Sequence, residues 1–414
     1  MTTPSPAQPQ PQAPAPKPAP PRRSWLRRIV SAQESGLVLV IALLMAALTL
    51  FGGTKRAAVE VNIPAGATVR VEEREGKSLL TLTTAEGREQ RHVSTRAWQV
   101  PEADGGAAGP RRARGFTEVS KFLNKENLVL QTTNASYFAV MAVGMTAVII
   151  LAGIDLSIGS IYALAALLGA MALNSLGTAE SGLALTLPLA LLVCCGVGGA
   201  CGLANGAASV ALRVHPFVIS LGTMAVYRGV VLLSSGAQTI GVEPESIQKD
   251  FFRYESFGVN PVPTLIMIVV AMAGMFVLSR TVFGRQVYAI GGNETAARYA
   301  GIAVGRVKVA VYTINGVLAG LAGCIYMGYF ASAENNAGNG YELKVIAAAV
   351  IGGASLSGGR GSAIGAVLGA ILVQLIDNAL VILDINQNYS QVVMGAAIIV
   401  AVVLDQTKGR LSGK

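Results

Sequence analysis

Apolar runs long enough to cross roughly 30 Å of hydrocarbon recur near residues 35–53, 134–152, 157–175, 183–211, 216–235, 262–280, 307–330, 342–357, 361–382 and 389–405. A chain that keeps returning to such runs has few folds open to it. In a bilayer every backbone polar group must be satisfied internally, so the runs read as helices of one polytopic bundle. About ten transmembrane helices follow.

The composition agrees: 52% of residues are hydrophobic and only 13% charged, too apolar for a single soluble globule. The net charge of +9 raises the question of nucleic acid, but basic residues at the ends of apolar runs record membrane orientation instead. No nucleic-acid partner is expected. Cys194, Cys195 and Cys201 share one apolar run and Cys324 lies in another, a spacing that fits neither a disulfide framework nor a metal site. With only His92 and His215, no His-based metal centre is expected either.

Residues 1–34 begin as a Pro-rich segment that cannot bury enough apolar surface to fold, and they end in the basic cluster Arg22, Arg23, Arg27 and Arg28. That cluster anchors the N-terminus in the cytoplasm. The string RRSWLRRIV is similar to a twin-arginine export signal, but no clear small-residue cleavage site follows, which favours a retained anchor. Threading the runs from there puts Arg213, His215, Arg280, Arg285, Arg298, Arg306, Lys308, Arg360 and the C-terminal residues 406–414 on the inner side. Short outer loops then hold mostly acids, among them Glu243, Glu255, Glu334 and Asp384.

The exception is the outer segment after the first helix (35–53). Over residues 54–115, VEVNIP, TVRVEE and LLTLTT alternate at period two between Gly-bearing turns, and predict a small β-rich insertion of three to five strands. The Gly-rich end EADGGAAGPRRARG links it to a membrane core over 116–405.

The core hints at two halves. Gly153-Ile154-Asp155-Leu156 and Gly340-Tyr341-Glu342-Leu343 each place a Gly, an acid and a Leu at a helix entrance, on opposite sides of the membrane. That is the arrangement of an inverted-topology repeat. A rival match, GIDLS with GGASLS at 352–357, joins positions of the same orientation.

Polar residues inside the runs are the candidate functional groups. Asp155 with Ser157 fits a helix N-cap, or a group lining a solute path, and Glu342 carries the same two readings. Arg228 and Asp377 fall well inside runs, where an unpaired charge costs several kcal/mol, so each is expected to face the bundle interior or a water-filled cavity, or to lie nearer an interface than the runs place it. Asn205, Asn315, Gln374, Asn378 and Tyr227 suit either a hydroxylated solute or interhelical hydrogen bonds. LSGGRGSAIG lacks the Gly-Lys-Ser/Thr ending of a phosphate loop, and the Gly291-Gly292 turn lacks the third Gly of a dinucleotide fingerprint. If nucleotide drives this protein, another chain binds it. Finally, Asn293 can cap a short helix over residues 294–299, whose Ala296, Ala297 and Ala300 make one side low. Such a helix is a plain connector or a plug for a partner's groove.

Four segments together carry a specific resemblance: MAVGMTAVIILAGIDLSIGS (141–160), HPFVISLGTMAVYRG (215–229), RTVFGRQVYAIGGNETAARYAGI (280–302) and GYELKVIAAAVIGGASLSGGRGS (340–362). From about Phe116 to Asp405 the chain resembles permease subunits of bacterial monosaccharide ABC importers of the ribose/xylose/galactose type, with the xylose type nearest in 276–315 and in the ending LIDNALVILDINQNYSQVVMGAAIIVAVVLD (375–405). The resemblance implies a multi-pass inner-membrane protein with both termini cytoplasmic. Its partners would be a second copy of itself, a cytoplasmic ATPase subunit and a periplasmic sugar-binding protein. It would carry no cofactor or catalytic residue, because ATP would bind the ATPase subunit. It also implies that Gly291, Gly292, Asn293, Glu294, Ala296, Ala297, Arg298 and Gly301 form a coupling helix that enters the ATPase. Asp155, Ser157, Asn205, Arg228, Glu342, Gln374, Asp377 and Asn378 are then candidates for the translocation path or its helix entrances. The Pro-rich tail and the insertion depart from the family pattern. A self-sufficient ion-coupled transporter is the alternative, and it would need a relay of ionisable groups built around Asp377 and Arg228.

Overall fold

The computed structural model describes residues 33–74, 77–84, 87–101, 111–176, 181–243, 245–256 and 259–411; most of the Pro-rich tail and most of the Gly-rich link fall outside these. In chain order come α1 (Gln33–Phe51), β1 (Thr54–Ile63), β2 (Thr68–Arg74), β3 (Lys77–Thr83), β4 (Glu89–Ser94) and β5 (Arg111–Ser120). Then follow α2 (Lys125–Ile150), α3 (Ile158–Ser175), α4 (Leu183–Leu212), α5 (Pro216–Ser235), β6 (Ile240–Gly241), a π-helical turn (Ile247–Phe252) and α6 (Pro261–Arg280). The chain ends with α7 (Val282–Gly292), α8 (Glu294–Tyr299), α9 (Val304–Phe330), β7 (Ser332–Ala333), α10 (Tyr341–Ile351), α11 (Ala363–Ile382) and α12 (Tyr389–Leu411).

Among the described residues, α1 to α6, α9 and α11 are long and apolar enough to cross a membrane. They start where local chemistry provides a start. Asn124 Oδ1 accepts from Asn127 N, Ser362 Oγ from Gly365 N, and Pro216 and Pro261 open α5 and α6 at positions that need no amide donor. α2 is the central staff, with 89% of its apolar window buried, against 6% for α1 and 11% for α5 and α6. The outer helices turn Leu39, Leu233 and Val269 outward, as lipid-facing helices do.

α4 and α9 approach most closely. A Cβ on Gly316 would stand 2.1 Å from the Gly198 carbonyl oxygen, and one on Gly202 would stand 2.2 Å from that of Tyr312. Small residues repeated every fourth position let the two backbones touch, which replaces the hydrophobic drive that lipid does not supply.

Two elements differ from the expected succession of full spans. After Ile150 the chain turns back on itself, with Gly153 N donating to Val148 O, and α3 begins beside the middle of α2. The Tyr162 ring lies 6.0 Å from that of Tyr137, and Tyr137 sits about 20 Å from Ile150 along α2 at roughly 1.5 Å per residue. The run expected over 342–357 forms only the 11-residue α10, about 16 Å long and half a crossing. α10 also starts at mid-depth, where the Tyr341 ring lies 4.6 Å from Phe138. It runs the opposite way, to a loop whose Gly359 N donates to Ile150 O. The two entrances touch, since a Cβ on Gly159 would stand 2.3 Å from Gly338 O. The 18-residue α3 and the 11-residue α10 thus leave one mid-depth junction in opposite directions, whereas the pattern expected for GIDL and GYEL places them on opposite sides of the membrane. α10 ends where Gly352 packs onto the Gly365 carbonyl and Gly353, with a left-handed φ of 100°, turns the chain.

The insertion is a ribbon and a sheet. β1 pairs antiparallel with β5 from Thr54↔Ser120 to Ile63↔Arg111, while the second sheet has the order β2-β3-β4. Val61, Ile63, Leu80, Leu82, Trp98 and Ala113 form its small core. β5 continues to Ser120, beyond the boundary at Gly115, because the ribbon closes directly onto the end of α1. Below it, Phe122 packs with Leu48, Leu375 and Ile382, and Lys121 pairs with Asp384 at 2.6 Å.

All four cysteines are free, and Cys194, Cys201 and Cys324 are buried, so a thiol-reactive dye reports unfolding. Gly316→Leu is expected to cost on the order of 1–3 kcal/mol or more and to lower the dye-labelling midpoint by several degrees. Gly222→Ala, with nothing near its Cβ, is expected to leave the midpoint unchanged or slightly raised. Equal behaviour of the two variants would contradict the close α4–α9 contact.

Candidate functional site

Asp155, Ser157 and Asn205, expected as path or entrance residues, meet in one buried network. Asp155 Oδ1 accepts from Ser157 N at 3.0 Å and from Ser157 Oγ at 2.6 Å, and Oδ2 accepts from Asn315 Nδ2 at 2.9 Å. Asn205 Nδ2 donates to Ser157 Oγ at 2.7 Å, and Tyr227 Oη donates to Asn205 Oδ1 at 3.2 Å. Ser220 Oγ accepts from Leu156 N, and the Tyr312 hydroxyl donates to Ile154 O. Side chains from α4, α5 and α9 therefore satisfy the open stretch between α2 and α3. Asp155 is fully buried. Its carboxylate folds the turn onto Ser157 rather than capping the first amides of α3, where Ser157 itself holds the N-cap position without a side-chain cap bond.

Around the α3–α10 junction stand Tyr137, Phe138, Tyr162, Tyr326 and Tyr341, with ring centroids 4.6 to 6.3 Å apart. Arg228 is not isolated: its guanidinium donates to Ala337 O at 2.7 Å and Asn335 O at 3.3 Å, and so holds the stretch that leads into α10. Glu342 lies within Coulombic reach of it. Asp377 is not isolated either. Lys344 Nζ is 2.6 Å from Asp377 Oδ2 and 5.8 Å from the centre of the Phe138 ring, and Ser390 donates to Asp377 Oδ1. Gln374 and Asn378 turn to the first turns of α2, where Gln374 Nε2 donates to Gln131 Oε1 and Asn378 Nδ2 to Asn127 Oδ1, both at 2.8 Å. The expected residues thus fall into separate clusters, one at the α2–α3 break, one at the entrance to α10, and one along the α2–α11 seam. Lys344 was missed because a lysine one turn inside an apolar run reads as an end marker; its spacing from Glu342 on a helix entrance was the available signal. Gln131 and Asn127 were missed because they precede the run over 134–152.

The short helix expected over residues 294–299 is α8. Asn293 Oδ1 accepts from Ala296 N at 2.9 Å, and Gly301 ends the segment with a left-handed φ of 82°. Thr295, Ala296, Arg298, Tyr299 and Ala300 face outward, Tyr299 with 87% of its surface exposed. Ala297 does not join them: it is buried and holds α8 to the bundle. Gly291 also faces inward, where a Cβ would stand 1.6 Å from Ile150 O, and Gly292 is open. Lys308, at 2.7 Å, and Arg298, at 3.2 Å, both pair with Glu294. The Lys308 ammonium holds the Glu294 carboxyl below the usual glutamate range. By linkage these pairs are fully present above the ordinary glutamate range and are lost as the pH falls through the depressed value.

The family model described as branched-chain amino acid transport system / permease component matches residues 127–402. The ribose import permease of Escherichia coli strain K12 is 36% identical over 336 residues, covering 80% of this chain and 100% of that protein. The D-allose transport system permease of the same strain is 38% identical over 288 residues, 69% of this chain and 85% of that protein. The autoinducer 2 import system permease of Enterobacter sp. strain 638 is 36% identical over 290 residues, 70% of this chain and 81% of that protein. No solved structure matches.

Asp155→Asn keeps the shape but replaces a charged acceptor with a neutral amide, and the Asn315 amide must turn over to offer its unpartnered Oδ1 to the new donor. It is expected to cost about 1–3 kcal/mol, read as a lower dye-labelling midpoint. In the exchange Asp155→Asn with Asn315→Asp the carboxylate at 315 accepts from the new amide, and the midpoint is expected to recover in part. No recovery would show that the bond between residues 155 and 315 does not hold the break.

Proposed function

The chain belongs to the family described as the permease component of the branched-chain amino acid transport system, and from that premise we propose that it is the membrane permease subunit of an ATP-driven importer for a monosaccharide. The relatives named above are import permeases for ribose, allose and autoinducer 2. The class of solute follows from them, with no preference for xylose in particular. The chain is not itself an enzyme, and ATP is bound and hydrolysed by a separate subunit.

The observation that carries the reading is how α8 is mounted. Its outer face is free, while its root is wedged between both ends of the broken helices. Gly291 packs on Ile150 at the end of α2, and a Cβ on Gly358, in the loop after α10, would stand 2.6 Å from Gly291 O. Gly359 N in turn donates to Ile150 O. A partner that grips α8 therefore pushes on the two segments that lead to the mid-depth junction. In this account Asn293, Glu294, Ala296, Arg298 and Gly301, with Gly292 at the hinge, form the coupling helix that enters the ATPase. Gly291 and Ala297 transmit its movement.

Orientation follows from charge. The α8 end also carries the α4–α5 turn with Arg213 and the loop with Arg360, and α1 starts there, with Ser362 Oγ 3.1 Å from Glu34 Oε1. Positive loops mark the cytoplasmic side, so both termini are cytoplasmic and the β insertion is outside. There it adjoins the surface that receives sugar from a binding protein, and a second copy of the chain completes the path. Beside the acids Asp155 and Glu342, the junction offers the neutral groups of Ser157, Asn205, Asn315 and the tyrosines, which suit a hydroxylated solute. An ion-coupled relay is disfavoured because Asp377 is held by Lys344 and Arg228 by two carbonyls.

The test uses the co-expressed ATPase subunit in liposomes with and without this chain. The wild-type chain is expected to stimulate ATP hydrolysis severalfold, and the double variant Glu294→Ala, Arg298→Ala to lose most of that stimulation while keeping its dye-labelling midpoint. Full stimulation by the variant would remove α8 from the coupling role.

A further inference from the structure

At the α8 end lies a cavity of about 930 Å³ that shares Glu294 and Arg298 with the coupling helix. Its walls carry Arg213, His215, Arg298, Arg306 and Lys308, against a single acid, Glu294. Glu294 already answers Lys308 and Arg298, so Arg213 and Arg306 bring uncompensated positive charge to the cavity. The backbone adds to it. α5 and α9 both begin at this cavity, at Pro216 and Val304; His215 Nδ1 caps α5 by accepting from Phe217 N, while α9 has no side-chain cap on its first amides, so the open end of α9 adds positive charge. Arg213 is fixed in the left-handed region, φ 55°, at the reversal from α4 to α5. Leu212, Phe217 and Val218 do not line the cavity but flank its lining residues Arg213 and Pro216 in sequence, and they are 65%, 39% and 55% exposed. They lie on the helices that bound the cavity, α4 and α5. An anion alone needs no apolar flank, and an acyl chain alone needs no cations.

We propose that this cavity binds the phosphate headgroup of an anionic phospholipid of the inner leaflet, with its acyl chains on the flanking Leu212, Phe217 and Val218. The proposal takes from the proposed function only the placement of the α8 end at the inner surface. It makes lipid a ligand beside the coupling helix, because Arg298 and Lys308 serve both the cavity and Glu294.

The test is retention of lipid by the full chain, purified from detergent and weighed by native mass spectrometry after incubation with phosphatidylglycerol or phosphatidylcholine. Phosphatidylglycerol is expected to stay bound to the wild type and phosphatidylcholine to be lost. Arg213→Gln with Arg306→Gln should reduce phosphatidylglycerol retention by about tenfold or more, each surface cation being worth about a factor of five. Arg285→Gln, on the same face but outside the cavity, should not reduce it. If the double variant does not fold, Arg306→Lys against Arg306→Gln replaces it, and only the glutamine should lose lipid. Equal retention of the two lipids, or no effect of the glutamine variants, would overturn the proposal. So would displacement of the lipid by millimolar inorganic phosphate, which would mark a site for free phosphate. Loss of the ATPase subunit from the double variant with lipid retention unchanged would assign the cavity to a protein contact instead. Since lipid retention does not depend on transport, failure of this test leaves the importer reading standing, and the reverse also holds.

Discussion

A chain that breaks its helices at membrane depth must hydrogen-bond the exposed backbone without water, and the rest of this structure is arranged around that requirement. The α2–α3 break meets it with one buried carboxylate. Asp155 gathers Ser157 and Asn315, Ser157 gathers Asn205, and Asn205 gathers Tyr227. Through these bonds α4, α5 and α9 are tied to a turn of a few residues. The break before α10 is met differently, by Arg228 donating to two carbonyls of the incoming stretch. In both places a polar side chain does inside the bundle what water does outside it.

Because both breaks are held, the helices that follow them can meet. α3 and α10 start at the same depth, touch through Gly159 and Gly338, and run toward opposite ends. The aromatic rings of Tyr137, Tyr162 and Tyr341 fill the space beside the junction. The contact of Gly291 with Ile150, and of Gly359 with Ile150, connects this junction to α8. A continuous line of packed backbone thus runs from an exposed helix to the centre of the bundle.

The class of fold was legible because hydrophobic runs of bilayer length have few other interpretations, and the α8 cap was legible because Asn293 stands in front of a helix-forming stretch with an acid in its first turn. The inverted relation of GIDL and GYEL was visible as a pattern of residue types. The depth of those entrances was not, since hydropathy measures apolar length and α10 merges with the Gly-rich loop behind it into one apolar run. Nor could the partners of Asp377 and Arg228 be read: Lys344 is 33 residues from Asp377, and Arg228 is satisfied by backbone, which leaves no trace in side-chain identity. The split of the coupling segment into outward residues and the inward Gly291 and Ala297 required the packing of α2 and the α10–α11 loop to be known.

The most direct measurement is uptake of labelled monosaccharides, pentoses and hexoses in turn, into proteoliposomes that contain this chain, its ATPase subunit and its sugar-binding protein, with ATP supplied on the ATPase side and all ion gradients collapsed by ionophores. The account predicts uptake that needs ATP and the binding protein and is indifferent to the ionophores. Uptake that proceeds without ATP and stops when the gradients collapse would contradict it.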